Sequence, residues 1–372
     1  MRLPLTNLLV VTLAMGAGPG GAPVLYSQGQ PESDYWVYVA AESEDQVALL
    51  RFGPAGLHVQ KTIEVGIRPI ETEGPHGLRV SPDGEHWYVS LAHGYPFGSV
   101  HKYRTGTDLW EGSAEVGMFP ATIDVAASTG LLYVANFDLH GGMTPGSVSV
   151  VDTESMAEVA RVEAGVMPHG SRLSASGDRH YAVMMMSDEL VEMNAWAFEV
   201  SRRLPLTDHA RHGGAGGMAM AVSRPTWVEL APDGGRAWLA LNGSNEIMEI
   251  DIGNWEVSRT FATAPGPYNI GLSPDGRWLV VSYRNDGSTG VWDLGRGTEV
   301  ARIRNSRPLT HGVAVSPDSR YAFVSVEGVG AQAGAVDVID LEALELAATA
   351  EVGKQASGIA FWKMEAAPDR SR

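Results

Sequence analysis

The sequence predicts an all-β protein: a seven-bladed β-propeller of four-stranded antiparallel blades, closed by pairing the C-terminal strand with the N-terminal blade. Three observations predict it. A unit of roughly 40 to 50 residues recurs along the chain, the period of propeller blades or solenoid turns. Each unit parses into four short, alternating segments separated by turn residues. The two ends carry complementary fragments of one further unit.

The unit is plainest at Pro75-His76-Gly77-Leu78-Arg79-Val80-Ser81-Pro82-Asp83-Gly84, followed by Trp87-Tyr88-Val89-Ser90-Leu91. Related units begin at Pro120, Pro168, Pro225, Pro267 and Thr310, with Ala231-Pro232-Asp233-Gly234, Ser273-Pro274-Asp275-Gly276 and Ser316-Pro317-Asp318-Ser319 at the same offset. Weaker copies of this turn stand at Ala126 to Gly130 and Ser174 to Asp178. Proline pre-sets φ and the Asp-Gly pair tolerates the reversal, so this tetrad joins a first strand, A, to a second, B. Strand B is β-branched or aromatic, as in Trp278-Leu279-Val280-Val281-Ser282. Strand C ends in Asp152, Asn194, Asp251, Asp293 and Asp340, side chains suited to capping the turn into strand D. First strands start near His76, Ala121, His169, Thr226, Tyr268, His311 and Ser357. The last has no B, C or D after it, whereas Tyr35 to Ala40, Val47 to Arg51 and Val59 to Glu64 have no A before them. Joining the two fragments completes the seventh blade and removes the open sheet edges.

Composition agrees. Among 372 residues, 44 glycines and 21 prolines favour turns over helices. Hydrophobic residues at 44% suffice for a full core. The 27 basic against 44 acidic side chains leave a formal charge of -17, which repels a phosphate backbone and argues against a nucleic-acid partner. Without cysteine there is no disulfide, thiolate metal site, cysteine nucleophile or acylated lipoprotein anchor.

Met1-Arg2, the apolar run Leu3 to Ala17 and the small residues from Gly16 to Ala22 read as a secretory signal peptide. The run is shorter than the roughly 20 residues a bilayer requires. The expected organisation is a signal peptide over 1–27, a linker over 28–33, one propeller over 34–364 and a flexible tail over 365–372. The expected location is periplasmic or secreted, the expected state a monomer.

The Ser-Pro-Asp-Gly turn followed by Tyr88-Val89-Ser90, together with Tyr133-Val134-Ala135-Asn136 and Tyr38-Val39-Ala40, resembles the YVTN-family β-propeller repeats. That group includes surface-layer repeat proteins and secreted YncE-like proteins. Its fold is similar to the propellers of nitrous oxide reductase and of the haem d1 domain of cytochrome cd1. The resemblance implies the fold over residues 34 to 364 and a binding or scaffold role; it assigns no ligand, because the repeat consists of turn and core residues.

In a propeller the D–A and B–C connections share one face, beside the channel mouth. That rule places Glu73, Tyr268, Asn269, Arg284, Asp286, Glu327, His93 and His140 there as candidate ligand-binding residues. His76, His169 and His311 occupy one repeat position, on blades separated by two, three and two steps of about 51° each. Three imidazoles converging on the axis make a metal set, with His212 of the long Leu206–Pro225 connection as a fourth candidate and copper, zinc, iron or manganese as the open choices. The competing reading of the Pro-His-Gly motif is structural: the imidazole bonds to the neighbouring blade's backbone. The 14 methionines are expected to fill core gaps.

No Gly-x-Ser-x-Gly elbow, His-Glu-x-x-His helix, phosphate loop or dinucleotide fingerprint occurs, and no Cys-x-x-Cys-His site, which excludes covalent haem. The expectation is an exported binding or scaffold protein that recognises a protein partner, an envelope component or a small ligand through the channel-mouth face. The alternative is a metal-dependent enzyme of lactonase, lyase or oxidoreductase type, with Glu73, Asp286 or Glu327 as base.

Overall fold

Among the described residues, twenty-eight strands, numbered β1 to β28 in chain order, form seven four-stranded antiparallel sheets in the computed structural model. The structure describes residues 31–68, 70–94, 96–139, 141–207 and 221–367. The leader segment, His140 and His212 lie outside the described residues.

Six blades are continuous runs of four strands, and the seventh has the order β28-β1-β2-β3. Strand β28 (Ala356–Ala366) lies antiparallel to β1 (Ser33–Ala41), with Val39 opposite Ile359 and Val37 opposite Phe361. The termini therefore close the ring, as the complementary fragments predict. The strand continues two residues past the expected boundary at 364.

The A–B turns show why the repeated tetrad has its composition. Ser81 Oγ donates to Asp83 at 2.5 Å and accepts the His86 N–H at 3.0 Å. Ser273 with Asp275 and Trp278, and Ser316 with Asp318 and Tyr321, repeat the pattern. One serine thus ties both ends of the turn. The last turn position is left-handed, with φ +74° at Gly84 and +72° at Gly276, which glycine adopts without strain. The five residues expected to cap C–D turns do so: backbone N–H groups two or three residues on donate to Asp152, Asn194, Asp251, Asp293 and Asp340.

Blades pack through apolar sheet faces. Between the closing blade and the next, Tyr38 stacks on Trp87 at 5.1 Å and Trp87 on Tyr103 at 4.1 Å. Tyr38 Oη and Trp87 Nε1 both donate to the buried Asp108 carboxylate, which also holds Lys61, so the two polar handles are satisfied inside the stack. Burying one large apolar side chain contributes about 1.5–3 kcal/mol, and each interface repeats that many times over. Among the described residues no helix is long and apolar enough to cross a membrane.

Candidate functional site

The innermost strands are β4 (Pro75–Val80), β8 (Pro120–Val125), β12 (Pro168–Leu173), β16 (Pro225–Leu230), β20 (Pro267–Leu272), β24 (Leu309–Val315) and β28. Six begin at or near a proline on the face of the D–A connections, and the second residue of most of them reaches toward the next blade. His76 Nδ1 donates to the Ala121 carbonyl at 3.0 Å and His169 Nδ1 to the Thr226 carbonyl at 2.7 Å. Thr226 Oγ1 donates to Tyr268 O at 2.8 Å, and Ser357 Oγ to Pro75 O at 3.1 Å across the closure. These bonds run in one direction around the channel. The glycine after each histidine permits the close approach: a Cβ at Gly77 would lie 2.7 Å from Ala121 O. His76 and His169 thus make the backbone bonds that the structural reading of the Pro-His-Gly motif expects.

That role also prepares chemistry. A carbonyl on Nδ1 keeps the proton there, so Nε2 carries the lone pair. The Tyr268 hydroxyl donates to His169 Nε2 at 3.0 Å. The imidazole of His76 stands 5.3 Å from that of His311 and 6.4 Å from that of His169, and the Tyr268 ring 4.8 Å from His311. Phe119, 5.5 Å from His76, and Phe137, 5.0 Å from His169, wall the cluster with apolar rings. Burial holds His169 down at about 4, helped by the neighbouring His76, and pushes His311 well below the usual imidazole range. Burial lifts Tyr268 to about 12. His169, His311 and Tyr268 are thus neutral at pH 7.

Two ion pairs border it. Arg284 grips Glu327 through two bonds of 2.6 and 3.0 Å and lies over the Tyr268 ring at 5.1 Å, with Glu327 Oε1 4.0 Å from His311 Nε2. Burial works against the Arg284 charge, but the bonds to Glu327 outweigh it and raise its pKa. Glu42 accepts His93 Nε2 at 2.8 Å while its other oxygen stands 3.9 Å from His76 Nε2. The Glu42 bond raises the His93 pKa against the opposing effect of burial.

Of the residues placed here from sequence, His76, His169, His311, Tyr268, His93, Arg284 and Glu327 do come together. Asn269 lies one step further along β20, inside the channel. Glu73 is turned away: its carboxylate accepts the Ile67 and Arg68 N–H groups and orders the D–A connection. Asp286 accepts the Ser288 hydroxyl beside its own turn. Glu42 was not foreseen, although the rule that placed His93 and Glu327 at the ends of B strands applies equally to the closing blade and points to it. Phe119 carried no such signal. Its φ of +49° aims it at the histidines, and only coordinates reveal that.

A metal held by three imidazoles needs nitrogens about 2.0–2.1 Å from one centre. Among the described residues, the His/Asp/Glu group whose ligand atoms all lie within 4.8 Å of one another is Asp83, Glu85 and His86, in and after the A–B turn between β4 and β5 (His86–Leu91), away from the mouth. The three channel histidines are not such a group in this arrangement. From the mouth a cavity of about 720 Å³ runs along the inner strands, with His76 and His311 at one end and Asp83 and Gly84 at the other.

No family model matches the chain, and no curated protein sequence does. Solved structures resemble it in fold. It is similar to the periplasmic gluconolactonase PpgL of Pseudomonas aeruginosa at 20% identity, with a TM-score of 0.70 over 89% of this chain and 99% of that one. A protein from Lactobacillus plantarum matches at 17% identity and a TM-score of 0.71, over 89% and 100%. Hydrazine synthase of Kuenenia stuttgartiensis matches at 21% and 0.60, over 75% and 80%. At these identities the likeness establishes the seven-bladed ring and leaves the site to its own geometry.

Proposed function

We propose that this chain is an exported binding protein that takes a small, neutral, polar molecule at the histidine mouth of its channel. The observation that carries the reading is charge compensation. Glu42 is answered by His93 and Glu327 by Arg284, while His169, His311 and Tyr268 present hydrogen-bonding groups with no net charge. A charged guest would leave its charge unpaired among buried rings, whereas a neutral one need only exchange hydrogen bonds. Glucono-δ-lactone is the first probe. Calorimetric titration should give saturable heat with the wild type and an affinity lowered about tenfold or more in Tyr268→Phe, which keeps the ring and removes the hydroxyl. Absence of saturable heat for the lactone, or saturable heat only with its anionic open acid, ends this reading.

A second reading has its own support. His76 Nε2 bears a lone pair 3.9 Å from the Glu42 carboxylate, the arrangement of a general base whose cation is stabilised as it forms. In lactone hydrolysis His76 would take a proton from water as its oxygen attacks the carbonyl carbon. The ring C–O bond would then break, and the proton pass to the departing ring oxygen. The fold shared with a gluconolactonase is consistent with this chemistry. Acid release measured by pH-stat, present in wild type and lost in His76→Gln, selects this reading. Elemental analysis of the same preparation decides whether a metal takes part.

A further inference from the structure

Two acceptors face each other at the mouth across a gap too wide for a bond between them. Glu42 opens the single helical turn Glu42–Glu44 that follows β1, and His76 is the second residue of β4. Glu42 Oε2 stands 3.9 Å from His76 Nε2, whereas hydrogen bonds of this kind close at about 2.7–3.2 Å. The carboxylate offers lone pairs only, and its other oxygen is taken by His93 Nε2 at 2.8 Å. His76 commits its ring proton, on Nδ1, to the Ala121 carbonyl at 3.0 Å, which leaves Nε2 an acceptor as well. Neither atom has a hydrogen-bond partner among the described residues, and both keep accessible surface, unlike the sealed His311 Nδ1. His76 also lines the channel cavity, so a guest entering the mouth meets this pair.

Two acceptors at that spacing call for one atom that donates twice. A nitrogen about 2.9 Å from each would see them roughly 85° apart, which two N–H bonds of one –NH2 group reach by bending about 20° each. A hydroxyl has a single proton and would leave the second acceptor facing a lone pair, at a cost of about 1–3 kcal/mol. An ammonium supplies donors but adds a charge, and Glu42 is already answered by His93 as Glu327 is by Arg284. The similar gap of 4.0 Å between Glu327 Oε1 and His311 Nε2 is less open, because that oxygen already accepts from Arg284 at 2.6 Å. Phe119, 5.5 Å from the His76 ring and 5.0 Å from the His93 ring, gives the Glu42 gap an apolar wall that suits a flat group. A primary amide is neutral, flat and carries both N–H bonds on one nitrogen. We propose that the guest of the mouth is a primary carboxamide whose –NH2 donates one N–H to Glu42 Oε2 and the other to His76 Nε2. This deepens the neutral-guest reading of the mouth by naming the functional group, and it rests on that reading.

The test is calorimetric titration of the full chain with four compounds that share one polyol chain and differ at its end. D-gluconamide carries the primary amide, N,N-dimethyl-D-gluconamide an amide without N–H, D-glucitol a hydroxyl and D-glucamine an ammonium. The expected result is saturable heat with D-gluconamide and an affinity about tenfold or more above each of the other three. Glu42→Leu and His76→Phe each remove one acceptor and should bring the preference for the amide over D-glucitol to within about twofold. Circular dichroism checks that both variants fold, and the wild-type series decides even where one does not. Equal affinity for D-gluconamide and D-glucitol means that water bridges the two atoms and overturns the proposal. So does an amide preference that survives both substitutions. Where glucono-δ-lactone still gives saturable heat, either result leaves the neutral-guest reading standing. D-glucamine binding tightest, or no heat from any compound including the lactone, removes both.

Discussion

Gly358→Ala tests the ring closure on which the whole site depends. A Cβ at this position would lie 2.0 Å from the His76 carbonyl oxygen and 3.1 Å from the Leu78 nitrogen, and both neighbours are backbone. Ordinary contact begins at 3.4 Å, so β28 and β4 must part by about 3.4 − 2.0 = 1.4 Å, with no flexible side chain to absorb the change. Overpacking of this kind costs about 1–3 kcal/mol and reaches the upper end when backbone must move. At about 2 °C per kcal/mol for a chain of this size, the melting temperature should fall by roughly 6 °C. Because the displaced oxygen belongs to His76, the imidazole should shift too, and lactone affinity should drop with stability. The assay is thermal unfolding followed by circular dichroism, with Gly142→Ala as control, since a Cβ there meets nothing within 4 Å. A melting temperature for Gly358→Ala within about 1 °C of both the wild type and that control would refute the reasoning.

Other consequences are as direct. Burial holds His101, His169 and His180 at about 4, so the unfolded chain binds more protons than the folded one between that value and the usual 6.5. Stability is complete above pH 6.5 and is lost as pH falls toward 4, by about 3 kcal/mol in all for each such histidine and about 2 kcal/mol of it by pH 5; denaturant midpoints at pH 7 and pH 5 measure that part. His93 has the opposite sign. Its raised pKa gives a contribution that is full below pH 6.5 and lost as pH rises through the folded value, so in His93→Gln that alkaline decline should disappear from the midpoint–pH curve. Tyr268→Phe leaves His169 Nε2 without its donor and should cost about 1–3 kcal/mol in urea unfolding, alongside its loss of lactone affinity. Glu327→Gln keeps the shape but weakens the paired bonds to Arg284, and lactone titration should then show a steeper response to ionic strength as the freed charge seeks counter-ions.

Much of the architecture was legible before any coordinates. The Ser-Pro-Asp-Gly turns, the Asp and Asn caps at strand C and the half-blades at the termini are local signals, because the hydrogen bonds that justify them close within five residues or follow from counting strands. The site was legible in part, and for the same reason. His76, His169 and His311 share a repeat position, and a ring with symmetry carries such a position to the axis. Glu73 and Asp286 read as site residues by the same rule, yet each is claimed by a nearer partner: the Ile67 and Arg68 amides in one case, Ser288 in the other. Sequence gives the face on which a carboxylate lies and not the bond that captures it.

What the residue order determined alone is periodicity: seven units, their turns and the strand that each blade places innermost. Tertiary structure decided everything that depends on neighbours from different blades. The pairing of Glu42 with His93, of Arg284 with Glu327 and of Tyr268 with His169 joins residues 51, 43 and 99 positions apart. The physical reason is that hydrogen bonding and desolvation act through space over a few ångströms, whereas repeat patterns record only distance along the chain.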